Sequence, residues 1–408
     1  MLTCIIIAHK RFEHYQIQNI DKSNCRIVFL VPKYAKHLCD ISVIQSTDFV
    51  YFTDSINEES IKITIKQELS IQPNKANIRL LCNDEIFLLD VGAVRRKLGI
   101  KGATDADYLK FRDKVLMKTI LREAGVRVPK FLQVERDQLL ENPQLNYKKL
   151  QEYFNKNLFF VKPRQGASAI GAYKISSFQD FIKWINNPNI DNSYNCEQYL
   201  EGKLYLCDSF INKREVIFSA VCEYSYPCAE YDKGKPLGII PLKNNEHINY
   251  KITNLTKEVC KALDAPDGAV HLEAFVLPDQ SVVFLEIAAR PGGAGVPKIL
   301  ERNYGFNTYV QTLRQSIGLP ISSVIDGDHY AEIFWATMPG KIKKLNVPNI
   351  VSNNDIKWNI NIGDVIEPQV SGTISPMAVR ISMSNKNYQQ LYEDFLSLST
   401  FEPFILES

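Results

Sequence analysis

The sequence predicts a mixed α/β fold: an open parallel α/β unit at the N-terminus, two further units of strands and helices, and a β-rich C-terminal part. Three observations predict it. The first hundred residues alternate short β-rich runs with polar or helical ones. The middle of the chain carries apolar runs joined in hairpin fashion by turn residues, and β-rich runs return after about residue 325. The expected division is 1–105, 106–195, 196–324 and 325–408.

The N-terminal runs are LTCIIIA, CRIVFLVP, DFVYF and ANIRLLCN, a rhythm that suits a small parallel sheet. No GxGxxG follows the first of them, so dinucleotide binding is not supported there. Asp107 to Ala124 has apolar residues at Leu109, Val115, Leu116, Ile120 and Leu121, and Gly125 and Pro129 follow, which predicts one amphipathic helix. LFFVKP, the small-residue loop RQGASAIG and AYKI predict a hairpin with a mobile tip. NCEQYL, LYLCDSFI and EVIFSAVCEY read as strands, the last two antiparallel. Tyr226 to Asn249, rich in Pro, Gly, Lys and Asn, reads as a long loop, followed by a helix starting near Thr253. YAEIFWATMPG, GDVIEPQVSGTI and AVRISMS make the C-terminal part β-rich, and NYQQLYEDFLSLS closes it with an amphipathic helix.

With 45% hydrophobic and 23% charged residues in 408, the composition is that of a soluble globular chain. A net charge of +2, from 48 basic and 46 acidic residues, gives no global field for nucleic acid or an anionic membrane. Phosphate chemistry must therefore rest on local charges. The nine cysteines form no CxxC pair or zinc spacing, so reduced structural thiols are expected. Leu2 to Ala8 is too short for a signal-peptide core, and no run approaches the ~20 apolar residues of a membrane span. A cytoplasmic location is the expectation.

The most informative stretch is HLEAFVLPDQSVVFLEIAARPGG, residues 271–293. Two apolar runs joined by Pro278-Asp279-Gln280-Ser281 form a hairpin, and symmetry about Asp279 and Gln280 sets Glu273 opposite Glu286. Facing like charges, with Cβ atoms about 5 Å apart, destabilise a sheet. Either one carboxylate takes a proton or a cation lies between them, and hard oxygen ligands suit Mg²⁺ carrying a nucleotide phosphate. Earlier in the chain, Lys162 ends a strand beside Gln165 to Gly171, whose small residues let backbone N–H groups approach phosphate oxygens. The loop is not a Walker A, since GxxxxGK followed by Ser or Thr is absent. Lys114 in RDK reads either as a solvated helical lysine or as a second phosphate contact. Glu197 in CEQYL reads either as a surface carboxylate or as an acceptor for adenine's amino group, with the backbone at Tyr199 and Leu200 on the ring edge.

Taken in order, RDK, VKPRQGASAIG, CEQYLEG, HLEAF and FLEIAARPGG resemble the ATP-grasp superfamily. The resemblance is to its carboxylate–amine ligase branch, which includes bacterial L-amino acid (dipeptide) ligases, and it runs from about residue 75 to the C-terminus. It implies an N-terminal pre-ATP-grasp domain, small and large ATP-grasp subdomains with the boundaries given above, and a β-rich C-terminal subdomain. It implies ATP and Mg²⁺ as cofactors, with Mn²⁺ able to substitute, and small-molecule carboxylate and amine substrates, without nucleic acid or membrane. A homodimer is the assembly common among relatives. Lys114 and Lys162 would hold the phosphates under a loop that includes Gly166, Ser168 and Gly171. Glu197, Tyr199 and Leu200 would bind adenine, and Glu273 and Glu286 would ligate Mg²⁺. Arg290 would reach the transferred phosphoryl group or the oxyanion at the acyl carbon. Gly292 and Gly293, in a loop with bare N–H groups, would hold an amino-acid carboxylate, or they form a flexible turn.

Two positions depart from the family pattern. Ala288 stands where many relatives have an Asn ligand; it faces His271, which is read either as packed or hydrogen-bonded or as a substrate contact. Leu204 stands where relatives often carry a ribose-binding Glu, a role left to Glu201 or Asp208. The expected reaction is ADP-forming amide synthesis through an acyl phosphate, probed by product mass and ADP release. A ligase with a thiol, peptide or other non-amino-acid substrate, and a nucleotide-binding regulator without catalysis, are the alternatives.

Overall fold

A computed structural model of the protein describes residues 1–166, 170–188, 190–243, 245–325, 327–368 and 374–407. Strands β1 (Leu2–Ile7), β2 (Cys25–Pro32), β3 (Phe49–Thr53) and β4 (Ile78–Cys82) form a parallel sheet in the order β3-β2-β1-β4. Cys4 to Ile7 of β1 are fully buried. A parallel sheet is covered on both faces, which is why this strand is continuously apolar rather than alternating. Helices Glu58–Ile71 and Leu88–Leu98 pack on one face, and Tyr309 and Leu313 of helix Thr308–Ser316 pack on the other. A helix from far along the chain thus anchors beside the first strand.

The second sheet is antiparallel, with strands β5 (Phe131–Glu135), β6 (Phe159–Pro163), β7 (Tyr173–Ile175) and β8 (Ser193–Gln198) in the order β5-β8-β6-β7. Phe154, Phe159, Phe181, Trp184 and Tyr194 fill its core. The remaining strands are β9 (Lys203–Asn212), β10 (Glu215–Tyr224), β11 (Leu237–Pro241), β12 (Gly268–Val276), β13 (Val282–Ala288), β14 (His329–Ala336), β15 (Gly340–Leu345), β16 (Asn353–Trp358), β17 (Val365–Ile366), β18 (Met377–Asn385) and β19 (Phe404–Leu406). Eight of them make one antiparallel sheet, β13-β12-β9-β10-β11-β14-β18-β16, so C-terminal strands extend the sheet that carries the carboxylate hairpin. β17-β15-β19 form a small separate sheet.

The structure differs from the sequence reading at four places. The stretch Asp107 to Ala124 is two helices, Asp105–Arg112 and Lys114–Glu123, broken at Asp113 (φ −93°, ψ 103°). The Asp113 carboxylate accepts from the N–H groups of Val115 and Leu116 and pairs with Arg164 at 2.6 Å. A short acid that competes for backbone N–H groups favours a cap over a helix interior. The helix expected from Thr253 starts at Glu246, where Asn245 caps it by accepting from the Ile248 N–H. The expected 226–249 loop also contains a 3-10 turn, Cys228–Lys233, and β11, an apolar run whose flanking turn residues hid it.

The hairpin register differs as well. Next to the turn, Val276 pairs with Val282 and Ala274 with Phe284, one residue tighter than symmetry about Asp279 and Gln280 requires. Gln280 adopts φ 61° to close this tighter turn. Leu285 is then left over as a β-bulge, and the pairing beyond it sets Glu273 opposite Glu286 and His271 opposite Ala288. The two errors cancel at the carboxylates.

Candidate active site

Three sets of elements converge on one cavity of about 780 Å³: the end of β1, the β6–β7 hairpin with helix Lys114–Glu123, and the carboxylate hairpin. Lys114, Lys162, Gly166, Glu197, Tyr199, Leu200, His271, Glu273, Glu286, Arg290 and Gly293 all line it. Of the expected site residues, Gly171 and Gly292 do not line the cavity, and Ser168 lies outside the described residues.

Side chains at i and i+2 of a strand share a face, so Asn195 and Glu197 of β8 point the same way, toward Lys162 on the neighbouring β6. Lys162 Nζ is 2.9 Å from one Glu197 oxygen. Lys118 Nζ is 3.1 Å from the other, close enough for an ion pair though not aligned as a hydrogen bond. Asn195 donates to the same oxygen at 2.9 Å. Glu197 is therefore not a surface carboxylate; it is 2% exposed and holds two ammonium groups. Lys118 was not singled out in the sequence, although its i+4 spacing from Lys114 places both on one helix face. It is fully buried, and burial, only partly offset by Glu197, pushes its pKa down to about 8.

The cluster continues across the cavity. Lys162 Nζ lies 3.4 Å and Lys114 Nζ 4.0 Å from the same oxygen of Glu286. Burial raises the Glu286 pKa, but Lys162, Lys114 and Lys118 outweigh it and hold the carboxyl well below its usual range. Burial lowers the Lys162 pKa, and Glu197 and Glu286 more than reverse that. Lys114, which donates to the Gly166 carbonyl at 2.5 Å, is lowered by burial with Glu286 opposing. Gly166 and Gly171 pack against Pro163: a Cβ at Gly171 would sit 2.9 Å from its Cγ, and Gly171 has φ 71°. Close approach to that proline explains these glycines before any ligand does.

Glu273, the opposed carboxylate, accepts from Tyr224 Oη at 3.1 Å and lies 3.6 Å from His271 Nε2. His271 Nδ1 is 2.5 Å from Asp208, its partner across β9 and β12. Burial lowers the His271 pKa, but Asp208 outweighs it and raises the value to about 9. His271 is thus both hydrogen-bonded and on the cavity wall. The facing pair already has protein cations on its outer sides: lysines behind Glu286 and an imidazolium behind Glu273. What it lacks is a third carboxylate or imidazole ligand, since among the described residues no group of three or more His, Cys, Asp or Glu side chains could hold a metal ion. Two hard oxygen donors alone fit an ion that brings its other ligands as phosphate oxygens and water, the usual state of Mg²⁺ at a nucleotide. Ala288 contributes no ligand and lines the cavity.

Asp208 is fully buried and accepts from the Gly292 N–H at 2.8 Å as well as holding His271. It is therefore committed, and of the two candidate ribose contacts only Glu201 lines the cavity, next to Leu204. A Cβ at Gly292 would meet Asp208 Oδ2 and Val296 at 2.9 Å. The Gly292 N–H thus meets a carboxylate of the protein itself. Arg290 Nη2 and Nε lie 2.7 and 2.8 Å from Glu85 Oε2, on the turn after β4. Glu85 also pairs with Arg112. Nothing local in the sequence marks Glu85, which meets Arg290 from 205 positions away.

A family profile described as "D-ala D-ala ligase C-terminus" matches residues 120–299. The chain is 25% identical over 281 residues to an L-arginine-specific L-amino acid ligase of Bacillus subtilis, covering 66% of this chain and 64% of that protein. It is 28% identical over 188 residues to a D-alanine–D-alanine ligase of Natranaerobius thermophilus, covering 44% and 51%. In both cases the chain spans less than two thirds of the relative's length. In structure it is similar to an L-amino acid ligase from Bacillus licheniformis, with TM-score 0.74 at 14% identity, covering 100% of this chain and 99% of that one. The resemblance to ATP-grasp amino acid ligases holds in sequence, and the mixed α/β fold is theirs.

Proposed function

We propose, from the premise that this chain resembles ATP-grasp amino acid ligases and shares their fold, that it is an ADP-forming carboxylate–amine ligase making an amide, a dipeptide or amino-acid conjugate. The observation that carries the reading is the single cavity in which the facing Glu273 and Glu286, the lysine pair Lys114 and Lys162, and Arg290 all meet. Tyr199, Leu200 and Glu197 line the part of the wall that would take adenine; Glu197 also fixes Lys162. Glu273 and Glu286 would hold Mg²⁺ or Mn²⁺, which supplies charge neutralisation at the phosphate oxygens.

In the reaction, an oxygen of the substrate carboxylate attacks the γ-phosphorus of ATP, the bond to the bridging oxygen breaks, and ADP leaves with the bond's electron pair. Lys114 and Lys162 orient the phosphates and offset the charge on the transferring group. An amine then attacks the acyl carbon; it gives up a proton, and phosphate departs. Arg290, held by Glu85, stabilises the oxyanion of that step. No side chain is covalently attached. The same reading places the enzyme in the cytoplasm, where MgATP is available, as a homodimer. Among the described residues no helix is long and apolar enough to cross a membrane. A screen of amino acid pairs with MgATP, followed by phosphate release and product mass, tests it. Amide products with stoichiometric ADP support the reading; ADP release that needs no amine overturns it.

A further inference from the structure

We propose that Lys10 and Arg11 form an anion subsite for a substrate carboxylate other than the one that is activated. The proposal rests on the ligase reading and deepens it. Both residues follow β1 and line the same cavity as Glu273, Glu286 and Arg290.

Three observations carry it. First, these cations are not neutralised. Arg290 and Arg112 are paired with Glu85, and His9 with Asp84. Among the described residues, Lys10 and Arg11 have no carboxylate within ion-pair distance. The one hydrogen bond from the Arg11 guanidinium goes to Tyr309 Oη at 3.4 Å. Second, the positive charges crowd one another. Burial first, then Arg11 and Arg290 as like charges, disfavour the charged form of Lys10, and Asp84 and Glu85 only partly oppose them. Such an arrangement is unfavourable until an anion arrives. Third, the backbone is bent to present it. Arg11 has φ 59°, a left-handed conformation that non-glycine residues adopt at a cost and that clusters at ligand clamps. The bend brings Arg11 Nη2 to 3.7 Å from where a Cβ on Gly293 would sit, next to the loop that follows Arg290.

A guanidinium fork beside an ammonium matches a carboxylate in shape and charge. The phosphate end of the cavity is already supplied by Lys114 and Lys162, so the group at Lys10 and Arg11 belongs to a substrate. Two sources share this chemistry: the free carboxylate of an amino-acid acceptor, and a second carboxylate on the acid that is activated.

Calorimetric titration of the full chain preloaded with MgADP separates them. In the acceptor arm the probes are L-alanine and L-alaninamide; in the donor arm, glutarate and its monoamide. At least one carboxylate should bind ten-fold or more tightly than its amide. Lys10→Ala and Arg11→Gly should each remove most of that preference while leaving ADP affinity unchanged. Glycine tolerates φ 59°, so Arg11→Gly keeps the turn. The arm showing the effect identifies the source. No carboxylate preference in either arm, or a preference that survives both substitutions, overturns the subsite. A charge preference without amide formation in the substrate screen sinks the ligase reading alone; amide formation without a charge preference sinks only the subsite.

Discussion

Glu197→Gln is expected to lower stability by about 3 kcal/mol at pH 7 and by only about half that at pH 9. The substitution leaves the amide close in shape but removes the charge that Lys162 and Lys118 approach at 2.9 and 3.1 Å. Breaking a buried pair by deleting one partner costs about 3–5 kcal/mol. Two features hold the loss near the lower end. Lys162 keeps Glu286 at 3.4 Å, and Lys118 can shed its proton. The Lys118 pKa is pushed from 10.5 down to about 8, first by burial, so the folded protein binds this proton more weakly than the unfolded chain. Between about pH 8 and 10.5 the unfolded chain therefore holds more protons, and stability rises with pH. Without Glu197 that window opens at lower pH. At pH 7, below the wild-type value, releasing the proton costs on the order of 1 kcal/mol relative to wild type. By pH 9 the wild-type Lys118 is itself neutral, and that part of the difference disappears. Trp184, buried in the core under the sheet whose strand β8 carries Glu197, is a local probe once the other two tryptophans, Trp335 and Trp358, are replaced by Phe. Urea unfolding of both proteins followed by Trp184 emission at pH 7 and pH 9 reads the two differences. Equal losses at both pH values, or a loss under about 1 kcal/mol at pH 7, would refute the coupling of Lys118 to Glu197.

Arg290→Ala should leave nucleotide affinity unchanged and lower amide formation about 10²–10³-fold, the usual effect of losing one oxyanion donor; ADP calorimetry beside product mass separates the two. Ala288→Asn should add an oxygen ligand beside the opposed carboxylates and lower the Mg²⁺ concentration needed for half-maximal activity, and an unchanged or higher requirement would place the ion elsewhere. Gly292→Ala should destabilise by about 1–3 kcal/mol, because its Cβ meets Asp208 and Val296 at 2.9 Å and disturbs the N–H bond to a buried carboxylate; a melting temperature equal to wild type would show that the loop gives way freely.

Strands with continuous or alternating apolar patterns were legible in the sequence, because burial on one or both sheet faces dictates that pattern. β1 to β4, the LFFVKP and AYKI hairpin and the carboxylate hairpin are of this kind. Misread elements were set by single polar side chains. Asp113 breaks a helix whose apolar period continues across it, and Asn245 starts one seven residues ahead of its expected beginning. Of the residues singled out in contiguous motifs, Lys162, Glu197, Glu273, Glu286 and Arg290 share one cavity. Glu85, the partner of Arg290, was not singled out, and Asp208 was read as a ribose contact rather than as the partner of His271 and Gly292, because spacing along the chain does not encode tertiary packing. Lys118 is intermediate: its helical register with Lys114 was readable, but its complete burial was not.

The proposed reaction requires a divalent ion held between Glu273 and Glu286. Anomalous diffraction from crystals grown with Mn²⁺ and ADP reads this directly. A manganese peak bonded to both carboxylates and to a phosphate oxygen, lost in Glu286→Gln, is the predicted result. Bound ADP with no peak there, and with Lys162 still seated on Glu286, would contradict the assignment of the pair as metal ligands.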